Sequence, residues 1–555
     1  MLSLTLLLGP YLYKIHAMAD GSRSSSPAGT AGNALLRWLL PSVADLIFVA
    51  LLASLLFTPL SVKLLGDAGI GWHIRTGQLI LTTHAIPRVD PFSAQSHESW
   101  IAWEWLYDVI VGWLDRHAGL NGVVWLTAVV IASVFAGTFR LLLRRGDLLI
   151  ALLLTLLVMG ASMIHFLARP HVLSWLFTLV WFWVLGSYES SSDARANPRI
   201  WLLPLLMLIW VNVHGGFLLG FVLLAIFWLG SLGTRLHLKH SRIEESLGKI
   251  AAGKRVRALT EVGLLSAAAS LVNPYGWHLH EHIYNYLTNL FLMDHIDEFQ
   301  SPNFHRIAQR CFLLLLLIAI AALVANGRRL RASEILLVLF AVYAGLYASR
   351  NIPVSSMLLA LAIAAVIPPL GLSRFTEKMR AVDSKLHGHL WPIVAIAATL
   401  VIAWNNGRVG SRQIMDAHFD PTRMPVAAVD FLQKLEAPAI EFSNPRAAVI
   451  PQCDPYLPVL GPDYWGGYLI YRLYPYHRVV IDDRHDFYGE VFLRSYLKMM
   501  HVEPGWDEFL NRPSSCLVLP RKAALSEILS KSPVWKALYS DEVAIVFSRT
   551  QLPLR

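Results

Sequence analysis

Ionisable and aromatic residues crowd one stretch of this 555-residue chain, Gly66 to Asp108, where Asp67, Trp72, His73, Arg75, Asp90, His97, Trp100, Trp103 and Glu104 follow one another. A carboxylate such as Asp67, near Trp72, can bind a metal or act as general base on a hydroxyl or amide. Its plainer use is as a helix N-cap. His73 can ligate a metal, touch a phosphate or make an ordinary polar contact. A second group, Asp294, His295, Asp297 and Glu298, stands just before an apolar run. Paired carboxylates there are costly unless they hold something polar. Arg169 and Arg350 also lie at the ends of apolar runs, and a guanidinium fork matches phosphate geometry. Snorkelling to lipid headgroups is the alternative for either one. His278, His280 and His282 alternate as ligands on a strand or loop would, but their spacing matches no zinc signature.

The elements that must position these residues are apolar. Apolar residues make up 55% of the chain and charged residues 15%, with a mean hydropathy of +0.49. That composition belongs to a polytopic α-helical membrane protein carrying a soluble part. We expect eleven spans, near 38–60, 120–143, 147–167, 172–187, 201–213, 216–234, 258–272, 309–326, 333–348, 354–372 and 390–405. Several are short, so breaks are expected near 165–175 and 210–220, and broken helices are tolerated only where they line a cavity. The net charge of +9 does not call for nucleic acid, because the basic residues fall largely in short loops. Alternate loops carry nineteen and eight of them, and the richer set belongs in the cytoplasm. Eleven spans then place the N-terminus inside and residues 406–555 outside, as in a bacterial inner-membrane protein.

The outward loops hold nearly all the distinctive polar residues. After the large first loop, 62–118, come Arg169-Pro170-His171, Asn212-Val213-His214, the run from Asn273 through His278 to Asn303, and Ser349-Arg350-Asn351. Residues 1–37 read as an N-terminal segment, too short in its apolar part to span and Ser/Gly-rich beyond it. Residues 38–405 form the membrane part. Residues 406–555 read as a small α/β domain: a helix from Val426 to Leu435, strands at Val479–Ile481 and Leu517–Leu519, a helix from Ala523 to Ser530 and a last strand at Val543–Phe547. Cys453 and Cys516 both lie in it, where a disulfide is permitted and free thiols are equally compatible.

Taken together these residues resemble the GT-C glycosyltransferases, which use polyprenyl-phosphate-linked sugars. Asp67 and the segment after it are similar to their first outer loop. Ile296-Asp297-Glu298-Phe299-Gln300-Ser301-Pro302 resembles the Glu-bearing loop motif of oligosaccharyltransferase catalytic subunits. Tyr464-Trp465-Gly466-Gly467-Tyr468, followed by Val479-Val480-Ile481-Asp482-Asp483, resembles their Trp-Trp-Asp-Tyr-Gly motif and the strand after it. The family's acidic pair in the second outer loop stands here as Arg169-Pro170-His171, and Trp-Trp-Asp as Tyr464-Trp465-Gly466.

The resemblance implies a glycosyltransferase acting at the outer face on a lipid-linked donor, with Asp67 and Glu298 catalytic and Arg350, Arg169 and His171 at the donor phosphate. Donor or acceptor contacts would come from Trp72, His73, Arg75, Glu104, Asn212, His214, Asn273, His278, Tyr464, Trp465, Asp482 and Arg484. Any divalent metal, Mg or Mn, would rest on Asp67 and Glu298. Two other classes stay open: a binding or assembly protein on the same fold, and a lipid or solute transporter, which would need mid-membrane polar groups and repeated halves.

Overall fold

The computed structural model describes residues 39–95, 98–191, 198–240, 246–368, 373–383, 385–386, 388–441, 453–454 and 456–550; His97 and the N-terminal segment lie outside them. Apolar sequence becomes helix wherever a span is expected. In order these helices are Val43–Phe57, Trp105–Arg145, Leu148–Ser162, His171–Glu189, Leu203–Trp210, Leu218–His240, Ser246–Ser270, Ile307–Asn326, Ala332–Tyr347, Ile352–Ile363 and Leu390–Trp404. Among the described residues, five segments are long and apolar enough to cross a membrane by themselves: Trp105–Arg145, Leu148–His165, His171–Ser190, Gly215–His237 and Ile307–Arg329. A 15-residue helix such as Val43–Phe57 rises only about 22 Å at 1.5 Å per residue, short of a full hydrocarbon core.

Both expected breaks are present. Leu148–Ser162 ends in the 3₁₀ turn Met163–His165, and the chain folds back before helix His171–Glu189. Trp210 is separated from Leu218 by an irregular turn and the 3₁₀ segment Gly215–Phe217. These two corners carry Arg169, His171, Asn212 and His214.

The segment from Gly66 to Asp108 is not the loop expected from its polarity. Residues 60–64 and 70–83 are helical, and a third helix starts at Trp105 and runs to Gly119, where a φ of 58° breaks it before the membrane stretch. Ile70, His73, Ile74, Gly77 and Ile80 recur at three- and four-residue spacing, and all are buried. That spacing makes one helix face an interior face. The ionisable residues seemed to demand solvent, but partners from distant segments take them up inside the fold.

At the C-terminal end, strands Leu517–Pro520, Ala544–Arg549 and Trp535–Ser540 form a three-stranded antiparallel sheet with Ala544–Arg549 in the centre. Helices Val426–Glu441 and Ala524–Ser530 pack on it, and Glu490–Met500 shares its core with Leu517, Leu519 and Phe547. Val479 is extended as expected, but it makes single bridges, to Ser93 on one side and to Val459 on the other, and Leu460 bridges Leu517. This chain of bridges ties the segment around Ser93 to the sheet. Cys453 and Cys516 are joined as a disulfide, with Cα atoms 5.4 Å apart.

Helix Asp463–Leu473 docks on helix Ile70–Thr83 through glycine. A Cβ at Gly71 would collide with the carbonyl of Gly467, and one at Gly467 with that of Ala68. Gly71 and Gly467 therefore bring helix Asp463–Leu473 within backbone contact of helix Ile70–Thr83.

Candidate functional site

Four chain segments converge on one guanidinium. Arg169, in the corner before helix His171–Glu189, sets Nη2 against Asp67 Oδ1 at 2.7 Å and against Asp483, and Nη1 3.8 Å from Glu298 Oε1. Asp67 also accepts from the Gly69 amide at 2.8 Å, again through Oδ1, so Oδ2 takes part in neither bond. The N-cap of helix Ile70–Thr83 is Gly69, without a side-chain bond. Asp67 is thus an ion-pair partner as well as a turn former. Asp483 accepts from Trp72 Nε1 at 3.0 Å. Side chains here remain partly open: 23% for Arg169, 22% for Asp67, 34% for Glu298 and 14% for Asp483.

Charge is unevenly shared in this cluster. Burial opposes the Arg169 charge, but Asp67, Asp483 and Glu298 outweigh it and hold the guanidinium protonated. Burial likewise works against an ionised Glu298, yet Arg169 and Arg350 bring its carboxyl down to about 2. Asp483 goes the other way: burial, with Asp67 and Asp482 nearby, lifts it to about 7 despite Arg169. One cation cannot stabilise three anions equally, and the most enclosed of them gives up its proton last as pH rises.

A second group adjoins the first. Glu104, at the start of helix Trp105–Arg145, lies 3.7 Å from His73 Nε2 and 3.7 Å from His214 Nε2. His73 Nδ1 contacts Asp108 at 2.6 Å, and its ring stacks on Trp72 with centroids 3.6 Å apart. The Gly216 amide donates to His214 Nδ1 at 2.9 Å, which directs the ring proton of a neutral His214 to Nε2, towards Glu104. Burial drives both imidazoles well below their usual range. It raises Glu104 to about 8, with Arg169 opposing and Asp486 assisting, so this carboxyl is protonated at neutral pH.

The opposite wall comes from helix His278–Thr288 and the 3₁₀ turns around Glu298 and Arg350. His282 meets Asp486 at 3.0 Å and packs edge-on against Trp103, and Tyr286 does the same against Phe299. Arg350 lies over the Phe299 ring at 4.5 Å. A cavity of about 470 Å³ between Asn285, Asn289, Phe291, Glu490 and Arg494 shares none of these residues.

The fold gathers Asp67, Arg169, His171, Glu298, Arg350, Trp72, His73, Glu104 and His214, and sets the other expected residues apart. Arg484 and Asp482 are locked together, with Arg484 also paired to Asp90 at 2.8 Å and Tyr488 donating to Asp482. Arg75 clamps the Tyr471 carbonyl. Trp465 is buried and donates to the Arg423 carbonyl, while Tyr464 is exposed. Asn212 bonds the Leu208 and Val272 carbonyls, and Asn273 those of Ser270 and Gly276. The three alternating histidines sit on a helix, not a strand. His278 pairs with Glu281 at the surface, His280 meets Ser270, and only His282 faces the site. Among the described residues no group of three His, Cys, Asp or Glu has metal-holding geometry.

The resemblance gives no role to Asp483, Asp486 or Tyr286, and His282 stood out only as one of the three alternating histidines. Asp483 sits at a bend between Asp482 and Arg484, where Asp482 accepts from the Arg484 amide and side chain, and no local spacing in the sequence marks it.

No family model and no curated protein matches this sequence. The fold does match solved structures. The oligosaccharyltransferase of Archaeoglobus fulgidus in its apo form aligns with a TM-score of 0.51 at 12% identity, over 92% of this chain and 74% of that one. Its complex with Zn and sulfate gives 0.51 at 11% identity, over 91% and 73%. ArnT from Cupriavidus metallidurans, bound to undecaprenyl phosphate, aligns over 91% and 97% at 14% identity with a TM-score of 0.44. At such identities the likeness is one of fold, and this chain is an integral membrane protein with the GT-C-like fold of the archaeal oligosaccharyltransferase.

Proposed function

We propose that the protein is a glycosyltransferase that moves a sugar from a polyprenyl-phosphate-linked donor to an acceptor at the outer face of a bacterial inner membrane, with residues 38–405 as the membrane domain and 406–555 as an extracytoplasmic domain. The observation carrying this reading is the convergence of Asp67, Arg169, Glu298 and Asp483 beside Arg350, in a fold used by an oligosaccharyltransferase. The disulfide agrees with an oxidising compartment for the C-terminal part.

In the proposed reaction the bond between the sugar and the donor phosphate breaks as the acceptor atom bonds the sugar. Asp67 takes the acceptor proton through Oδ2. Arg350, held flat on Phe299, receives the negative charge that gathers on the departing phosphate, where fixed positive charge lowers the barrier most. The test is transfer from a polyprenyl-phosphate sugar by the purified protein, with Asp67→Asn as control. A wild type inert toward every such donor would set this reading aside.

One observation favours the binding-protein alternative: Arg169 already neutralises the candidate base. Donor binding without turnover in the same assay is its signature. The transporter reading fits less well, because the polar cluster sits at helix ends and corners, not midway along the spans.

A further inference from the structure

A divalent ion at this site would need Asp67 and Glu298, and both are already engaged by a cation that belongs to the chain. Arg169 reaches three carboxylates from three other segments, Asp67, Asp483 and Glu298, through its two terminal nitrogens. The backbone is shaped to admit it: a Cβ at Gly69 would lie 2.6 Å from Arg169 Nη2 and 3.1 Å from Asp67 Oδ1, and would overlap Asp483. Trp72 fixes Asp483 from the far side. A metal ion could join these carboxylates only by expelling the guanidinium, leaving a partly buried Arg169 beside a like charge.

We propose that Arg169 is the resident cation of this acidic cluster and takes the place a divalent metal would otherwise fill, so that the protein holds Asp67, Glu298 and Asp483 in position without Mg or Mn. The carboxylates are oriented by a fixed fork of N–H donors, whose directions a spherical ion would not impose. The inference concerns the same site as the proposed glycosyl transfer, but its metal readout does not depend on any activity, so the two can fail separately.

The experiment is a Mn²⁺ titration of the full chain, purified in detergent after chelation, followed by electron paramagnetic resonance, for wild type, Arg169→Gln and Arg169→Asp. Wild type should show no stoichiometric bound Mn²⁺ that depends on Asp67. Arg169→Asp removes the internal cation and adds a fourth carboxylate. It should bind Mn²⁺ at least about a hundredfold more tightly than wild type, since affinity for such ions rises with the number of charged oxygens. The variant's melting temperature should also rise with Mn²⁺ while the wild type's does not. Arg169→Gln keeps the bulk without the charge, and should bind with intermediate strength. Stoichiometric wild-type Mn²⁺ abolished by Asp67→Asn would overturn the proposal, and so would a folded Arg169→Asp that binds no better than wild type. The wild-type arm decides even where neither variant folds.

Discussion

Two arginines at the junction between the membrane part and the C-terminal part are each gripped by carboxylates, and they behave as opposites. Arg484 is closed in: its side chain is 3% exposed, Asp90 and Asp482 are at 0%, and rings of Trp100, Phe487, Phe92 and Trp72 surround the guanidinium within 6 Å. Arg169 has three acidic neighbours to the two of Arg484 but remains 23% exposed, with Glu298 at 34%. A charge group closed off from solvent and matched by its partners can only hold the fold together. One left ajar, with a carboxylate oxygen outside its hydrogen bonds and a second arginine nearby, can still meet a ligand. Asp482 and Asp483 are adjacent in sequence and end in different classes: Asp482 is bound by Arg484 and Tyr488, while Asp483, at a bend, reaches Arg169 and Trp72.

The sharpest way to break this contrast is at Asp67. Asp67→Asn keeps shape and the bond to Gly69, since asparagine serves such turns as well as aspartate. Transfer from a polyprenyl-phosphate sugar should fall by roughly 10²–10⁴-fold, with the melting temperature nearly unchanged. Full activity in this variant would move Asp67 into the structural class.

Arg484→Ala should show the reverse. It strands Asp482 and Asp90 in the interior, and breaking a buried pair costs about 3–5 kcal/mol, read as a lower melting midpoint in detergent. A variant that melts like wild type while losing activity would place Arg484 in the site after all.

Arg350→Ala should be milder still. The loss of a charge-assisted bond to a phosphate is worth about 1.5–3 kcal/mol, which appears as roughly ten- to hundredfold weaker donor binding with the fold intact. Unchanged affinity would leave Arg350 as a support for Phe299.

The smallest effect concerns Glu104. Burial raises its folded-state value to about 8, above the unfolded value of roughly 4.3. Its contribution is therefore fully present below the unfolded value and is lost as pH rises through about 8. Glu104→Gln mimics the protonated carboxyl at every pH. It should melt with wild type near pH 4 and increasingly above it as pH rises towards 9, and parallel melting curves across that range would show that Glu104 is ionised in the fold.

Much of the architecture was legible along the chain. Hydropathy marked ten apolar helices among the described residues, because burial of apolar length depends on composition more than on distant partners, while Ser246–Ser270 is helical without being apolar enough to join them. The corners after His165 and Trp210 were legible for the same reason: apolar runs too short to span must break. The helix at Val426, the strands at Leu517 and Ala544 and the helix at Ala524 followed from local periodicity.

What the sequence could not settle was which charge answers which. The polarity of Gly66 to Asp108 suggested a loop, yet residues 70–83 form a helix whose ionisable side chains are matched by Asp108, Tyr471, Asp483 and Glu104. The GT-C resemblance gathered Asp67, Arg169, Glu298 and Arg350 into one expectation, but gave no reason to separate Asp483 from Asp482 or to remove Arg484 from the site. That sorting depends on where Gly71 and Gly467 let two backbones touch and on how the bend at Asp483 turns each carboxylate. Periodicity along a chain encodes which residues are buried. The pairing of charges between segments hundreds of residues apart is fixed only when the chain closes on itself, because an ion pair's energy depends on distance and local solvent exposure that no single segment contains.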